Sequence, residues 1–230
     1  MVESGWRPVI AMEQFDRENQ ALLSKAQQDC ADAECVIKVM QSARWDWELY
    51  RPVIDLALSY RLPLIAANLS RAEASRTVRD GIKASFDEAT IQAYGLTGAL
   101  PADIREAQQE AIAAGHCNML PQPIVAGMAE AQVARDIWMA KIIREQMPRD
   151  VVLLAGNGHV RKDIGVGRWI NAVGPELAVR SEGYLEQGVS AAAGAYDVTH
   201  SVEVQERPDP CADMKPKQSA PVVSEAVKAS

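Results

Sequence analysis

Histidine is scarce in this chain, with three in 230 residues, and phenylalanine scarcer still, with two. Cysteine is limited to Cys30, Cys35, Cys117 and Cys211. They form no Cys-x-x-Cys pair, no Cys-x-x-Cys-His sequence and no Cys/His quartet at zinc-finger spacing, which excludes the familiar structural metal sites. Four scattered cysteines do not make a disulfide framework either, so the expectation is buried, inert thiols. Positive charge is in deficit: 24 Lys and Arg stand against 31 Asp and Glu, a net charge of −7. That balance argues against nucleic acid or an anionic membrane surface as the main partner. No apolar run is long enough to cross a bilayer, so no transmembrane segment is expected. Residues 1–20 lack the basic start and apolar core of a signal peptide. "GNGHVRKDIGVG" is neither Gly-x-Gly-x-x-Gly nor a Walker A loop, so a nucleotide site is not expected. Glu-x-His is missing too: the residues two places before His116, His159 and His200 are Ala114, Asn157 and Val198.

What is present is an ordinary globular composition, 48% hydrophobic and 24% charged, enough to bury a core. Three short apolar runs read as strands covered on both faces: "PVIAM" (8–12), "PLIAA" (63–67) and "VVLLAG" (151–156). Helical spacing fills the gaps. "DRENQALLSKAQQD" has Asp16 as a candidate N-cap, and "RPVIDLALSYR" has Pro52 suited to a first helical turn. "PADIREAQQEAIAAG" and "PIVAGMAEAQVARDIWMAKIIREQM" precede the third run. Strands alternating with helices predict an α/β fold with a mostly parallel sheet flanked by helices. "LAVRSEG" and "AYDVTHSVEV" are candidate further strands at a sheet edge. Residues 1–204 form one expected domain. Residues 205–230, rich in Pro, Ser, Ala and Lys, have too few large apolar residues to fold alone and read as a disordered tail.

The polar groups fall where the runs end. The first ends at Glu13, followed by Arg17 and Gln20; the second at Asn68, followed by Arg71; the third at Asn157 and His159, followed by Arg161 and Asp163. In a parallel sheet these ends share one edge, and ligands of open α/β sheets bind in the crevice outside it. Gly156, Gly158 and Gly165 around His159 would let backbone approach closely. Plainer readings stand beside this one. Glu13 can pair with Arg17, Asn68 and Asn157-Gly158 can be turn residues, and His159 can be structural. In the long helical stretch, Gln132, Arg135 and Asp136 interrupt an apolar stripe. They serve either as an internal Arg–Asp pair or as lining of the crevice. His116-Cys117 is an adjacent pair of metal-ligating types without further spaced ligands.

Five blocks, "RPVIAMEQFDRENQ", "WDWELYRPVIDLALSYRLPLIAANLSR", "GHCNMLP", "MAEAQVARDIWMA" and "VVLLAGNGHVRKDIGV", together resemble the ChaN family of haem-binding lipoproteins, from Arg7 to Asn171. The α/β core of that family is similar to those of Tiki proteases and erythromycin esterases. The resemblance implies conserved roles for Glu13, Arg17 and Gln20, then Trp47, Tyr50, Pro63, Asn68 and Arg71. It implies them also for His116, Cys117, Gln132, Arg135, Asp136, Met139, Asn157, Gly158, His159, Arg161 and Asp163. The haem-iron ligand is left open among Tyr50, Tyr94, His116 and His159, residue types that ligate haem iron. Family members open with a strand ending in a Gly-Glu-x-His type motif, behind a signal peptide with a lipid-attachment cysteine. This chain begins after that point, so such a segment is expected upstream of Met1.

The leading expectation is therefore a haem-binding protein acting in iron acquisition at the cell envelope, with a homodimer on haem binding. Arg71 or Arg135 would reach a propionate. The family implies a periplasmic or outer-membrane-anchored lipoprotein; the chain taken as complete would be cytoplasmic. The alternatives are a hydrolase assisted by a divalent metal, with Glu13 and His159 as ligands or acid/base groups, and a shortened, non-functional product. As a ligand-edge residue, His159 should be replaceable by Ala with little effect on melting temperature.

Overall fold

The computed structural model describes residues 2–40, 44–207, 209, 211 and 212. In chain order the regular elements are β1 (Val9–Asp16), α1 (Gln20–Asp29), α2 (Ala33–Met40), α3 (Arg51–Ser59), β2 (Leu64–Asn68), α4 (Arg71–Asp80), α5 (Glu88–Ala93), α6 (Ala102–Gly115), α7 (Gln122–Glu145), β3 (Val151–Leu154), α8 (Asn157–Val160), α9 (Val166–Ile170), β4 (Glu182–Glu186) and β5 (Val198–Val202). The main sheet is parallel in the order β2-β1-β3. All three predicted apolar runs are its strands, and the helices flank it as expected. The tail expected from residue 205 onward lies largely outside the described residues.

Continuous apolar runs suit β1 and β2 because both of their faces are covered; β3, expected to be covered likewise, has no buried residue, since it lies at the edge of the sheet. Ile10, Met12 and Phe15 of β1 join Leu64 and Ala66 of β2 against α1, α2 and α3, through Leu23, Val36 and Ile54. Ala11 and Ala67 join the opposite core with Ile104, Val133, Ile137, Met139 and Trp169, from α6, α7 and α9. The period of two along β1 sends alternate side chains to the two cores. Completely buried Ile, Leu and Phe side chains each contribute about 1.5–3 kcal/mol relative to exposure.

Among the described residues β2 has a neighbouring strand, β1, on one side only, yet its open edge is not left to water. Gln20 Oε1 accepts from the Ala66 N–H at 2.7 Å, and Gln20 Nε2 donates to the Leu64 carbonyl at 3.2 Å. One helical step of seven further on, Gln27 repeats the pattern, accepting from the Leu64 N–H at 3.0 Å and donating to the Leu62 carbonyl. Two carboxamides on one face of α1 thus take the place of a neighbouring strand.

Two expectations are corrected. β4 and β5 do not extend the main sheet; they form a separate two-stranded parallel sheet. The cysteines are not free thiols: Cys30 pairs with Cys35, and Cys117 with Cys211. The first pair spans the turn between α1 and α2. The second joins residues 94 apart, a proximity that only the folded chain creates. Spacing rules detect motifs whose partners are close in sequence, and neither pair has such a signature. No helix among the described residues is long and apolar enough to cross a membrane.

Candidate functional site

β1 outruns its partners. Met12 pairs with Ala66, but the next matched pair is Asp16 with Asn68, so the register slips across Glu13, Gln14 and Phe15. An irregularity of this kind re-aims side chains at a strand end. It turns the Glu13 carboxylate to the start of α8, where Oε2 accepts from the Gly156 N–H at 2.8 Å. The strands β1 and β3 are neighbours, so their carboxyl ends meet without long side chains having to reach.

His159 sits on α8 and is 6% exposed. Its Nδ1 lies 2.6 Å from Asp136 Oδ1 on α7, and its Nε2 lies 3.6 Å from Glu13 Oε1. Asp136 is wholly buried, and Gln108 of α6 donates to its second oxygen at 3.2 Å. Gln108 also donates to the Ile164 carbonyl at 3.0 Å, which fixes its amide. The imidazole is therefore held between two carboxylates, one deep and one near the surface. Burial raises the Asp136 carboxyl to about 6 against the counter-pull of His159. Burial works to lower the His159 value, but Asp136 and then Glu13 outweigh it and hold the imidazole above 6.5. The His159–Asp136 pair can hold a shared proton, while Glu13, at 3.6 Å, acts on the imidazole through its charge. Gly165 is needed to pack this turn: a Cβ there would lie 2.3 Å from the His159 carbonyl oxygen. The close approach expected from the glycines is thus made to the backbone of His159 itself.

A second group surrounds the end of β2. Asp16 Oδ1 accepts from Asn68 Nδ2 at 2.8 Å and from Arg44 at 3.0 Å. The carboxylate expected to cap a helix is used here instead. Arg17 pairs with Glu73 of α4, not with Glu13, and its guanidinium lies 4.7 Å over the Trp138 ring. Arg135 donates to Gln132 at 2.9 Å, not to Asp136. Burial lowers the Arg135 value, with Glu13 acting in the opposite sense and Arg44 adding to the lowering. Arg135 Nε and Asn68 Oδ1 are buried with no hydrogen-bond partner among the described residues. Buried polar groups are ordinarily satisfied, so these mark places for ligand or water.

Aromatic side chains complete the edge. Trp47 stacks on Phe15 at 5.3 Å between ring centres, and Tyr50 meets Trp45 and Trp47 edge-on at 5.8 and 6.1 Å. Burial raises the Tyr50 phenol, the Gln14 side chain opposes this through a hydrogen bond, and Glu13 adds to the rise.

The three predicted strand ends thus converge, but not every candidate residue joins them. Gln20 is committed to β2. Asn157 turns its amide away to β4. His116 ends α6, with Nδ1 at 2.8 Å from the Ile112 carbonyl. Tyr94 is 8% exposed inside the core. Arg71 is exposed and makes no ion pair among the described residues. Arg161 forms a local bidentate pair with Asp163. Sequence reasoning missed Asp16, Arg44, Gln108 and Trp138. Asp16 was within reach of it, since extending the first strand four residues beyond Met12 ends there. Gln108 gave no signal. Among the described residues no three His, Cys, Asp or Glu are grouped to hold a metal ion.

Residues 2–170 match the family model for "Haem-binding uptake, Tiki superfamily, ChaN". The chain belongs to the ChaN family. Its fold agrees with a solved ChaN structure from Campylobacter jejuni, described as showing cofacial haem binding. The two are 18% identical with a TM-score of 0.66, over 86% of this chain and 74% of that one. At that identity the likeness is one of fold, and it includes the flanked parallel sheet. A comparison with curated protein sequences found no match. The ChaN family is a haem-binding one, so the sheet edge built from Glu13, Asn68, Arg135 and His159 is to be judged against a flat, apolar, dianionic ligand.

Proposed function

We propose that this ChaN-family chain holds haem at the carboxyl edge of its main sheet, between the Trp45–Trp47–Tyr50 aromatic group and the Arg135 side of α7. The observation that carries the reading is the pairing of an apolar aromatic shelf with a half-buried guanidinium whose Nε has no hydrogen-bond partner among the described residues. A porphyrin needs that combination: ring faces to stack on and a cation for a propionate. Bound haem would supply an iron centre; the chain supplies the ligand, the shelf and the cation. Of the four candidate ligands, Tyr50 fits best. Tyr94 is in the core, both nitrogens of His159 face carboxylates, and His116 is bonded to its own helix.

The two disulfides favour an oxidising compartment, in keeping with a role in haem or iron acquisition at the cell envelope. A homodimer on haem binding is part of the same proposal. Leu49, 71% exposed beside the aromatic shelf, is the kind of apolar side chain that a second copy would cover.

Titration with ferric haem tests the reading. A shifted Soret band should saturate with added haem, and sedimentation should show mass doubling at saturation. Tyr50→Phe should move the band and weaken binding, while Tyr94→Phe should leave both unchanged. A band that grows linearly without saturation would count against the site.

A further inference from the structure

Four residues of helix are too few to hold their own shape, since a helix this short does not repay its nucleation cost. Yet α8 carries His159, whose ring must sit between Asp136 and Glu13. The support comes from the C-terminal segment, beyond the 2–170 span of the family match. Asn157 Oδ1 accepts from the Tyr184 N–H at 3.0 Å, and Asn157 Nδ2 donates to the Tyr184 carbonyl at 2.5 Å. The amide thus pairs with β4 as a neighbouring strand would. The Tyr196 hydroxyl donates to the Asn157 carbonyl at 2.9 Å. Ser181 Oγ donates to the Val160 carbonyl, and the Lys162 N–H to the Ala195 carbonyl at 2.8 Å. Lys162 pairs with Asp197 as well. Gly183 is part of the same device: a Cβ there would lie 2.9 Å from the Tyr196 ring, which must lie flat on β4 for its hydroxyl to reach Asn157.

We propose that the β4–β5 unit is a clamp that sets the orientation of His159, with Asn157 and Tyr196 as its positioning residues for the haem edge. The clamp acts on both sides of the histidine, at Asn157 before it and at Val160 and Lys162 after it. The bearing on haem rests on the reading of that edge as the haem site; the bearing on His159 does not.

The test separates the two. The His159 Nδ1 proton shared with Asp136 at 2.6 Å should give a far-downfield proton resonance in the haem-free protein. Asn157→Ala should shift or broaden that resonance and weaken haem binding about tenfold, a change of about 1.4 kcal/mol. Tyr196→Phe, which removes one oxygen, should do so less. Asn157→Asp keeps the acceptor for the Tyr184 N–H and should partly restore the signal. Lys25→Ala, on the exposed face of α1 and outside the clamp, should leave the resonance in place. If Asn157→Ala does not fold, Tyr196→Phe and Asn157→Asp decide. An unchanged resonance in the folded variants overturns the clamp. A displaced resonance with unchanged haem affinity supports the clamp and removes the haem site from this edge.

Discussion

His159 was expected to tolerate replacement by Ala because a ligand-edge residue contributes little to folding. Its burial reverses that expectation. Asp136 is completely buried, and removing its partner leaves a carboxylate with only Gln108 to bond it. Breaking a buried pair costs about 3–5 kcal/mol. His159→Ala should therefore lower the melting temperature markedly at pH 8. It should do so less at pH 5, where Asp136, with a value of about 6, is protonated and neutral. The same pair sets a pH slope in the intact protein. Asp136 and His159 are both raised above their unfolded values, so the folded state binds more protons than the unfolded one. Their contribution is fully present in acid. It is lost as pH rises from about 4 through the Asp136 value near 6 and on through the His159 value above 6.5. Thermal melts of the wild type and Asp136→Asn at pH 5 and 8 measure this: the wild type should lose more stability on the alkaline side than the variant does.

Gly127 in α7 offers a case where helix propensity and packing disagree. In a free helix, Gly to Ala gains about 0.8–1 kcal/mol. Here a Cβ would lie 2.9 Å from the Val78 carbonyl oxygen and 3.0 Å from Val78 Cγ1, so α4 and α7 would have to separate. Overpacking of this kind costs about 1–3 kcal/mol, and the nearest atom is backbone, which yields little. Gly127→Ala should lower the melting temperature despite the better helix former, with circular dichroism unchanged at low temperature. β3 supplies a contrasting case. It is apolar, but Val152 is 39% exposed and no strand flanks its outer side among the described residues. Exposed apolar edges template association. Val152→Lys should raise the concentration at which light scattering reports aggregation.

The two disulfides differ in what they close. Cys30–Cys35 bridges a separation of 5 and Cys117–Cys211 one of 94. In the loop-entropy account, a loop near 100 residues is worth up to about 4.7 kcal/mol, and a short one much less. Cys117→Ser should lower the melting temperature by more than Cys30→Ser, and reduction of the wild type should approach the sum. If the two variants melt alike, the long cross-link restrains little. The same cross-link joins the loop after α6 to the segment that follows β5, so the C-terminal unit is attached at Cys117 as well as at α8.

The strand runs, the parallel α/β arrangement and the gathering of Glu13, Asn68 and His159 on one edge were legible in the sequence. They follow from local rules: a strand buried on both faces must be apolar throughout, and a parallel sheet sends all its carboxyl ends the same way. The family was legible too, because its blocks are sequence patterns. Pairings were not. Glu13 could have met Arg17, and Arg135 could have met Asp136, on spacing alone. The register slip in β1 gave Glu13 to Gly156 and His159, and the placement of α7 against α8 gave Asp136 to His159, while Arg135 bonds Gln132 one turn back on its own helix. The Cys117–Cys211 cross-link, the amides of α1 standing in for a strand and the grip of β4 on Asn157 all join residues remote in sequence. Such contacts depend on how helices and sheet are placed against one another. That placement is decided by the packing of two whole cores, which no short stretch of the chain encodes.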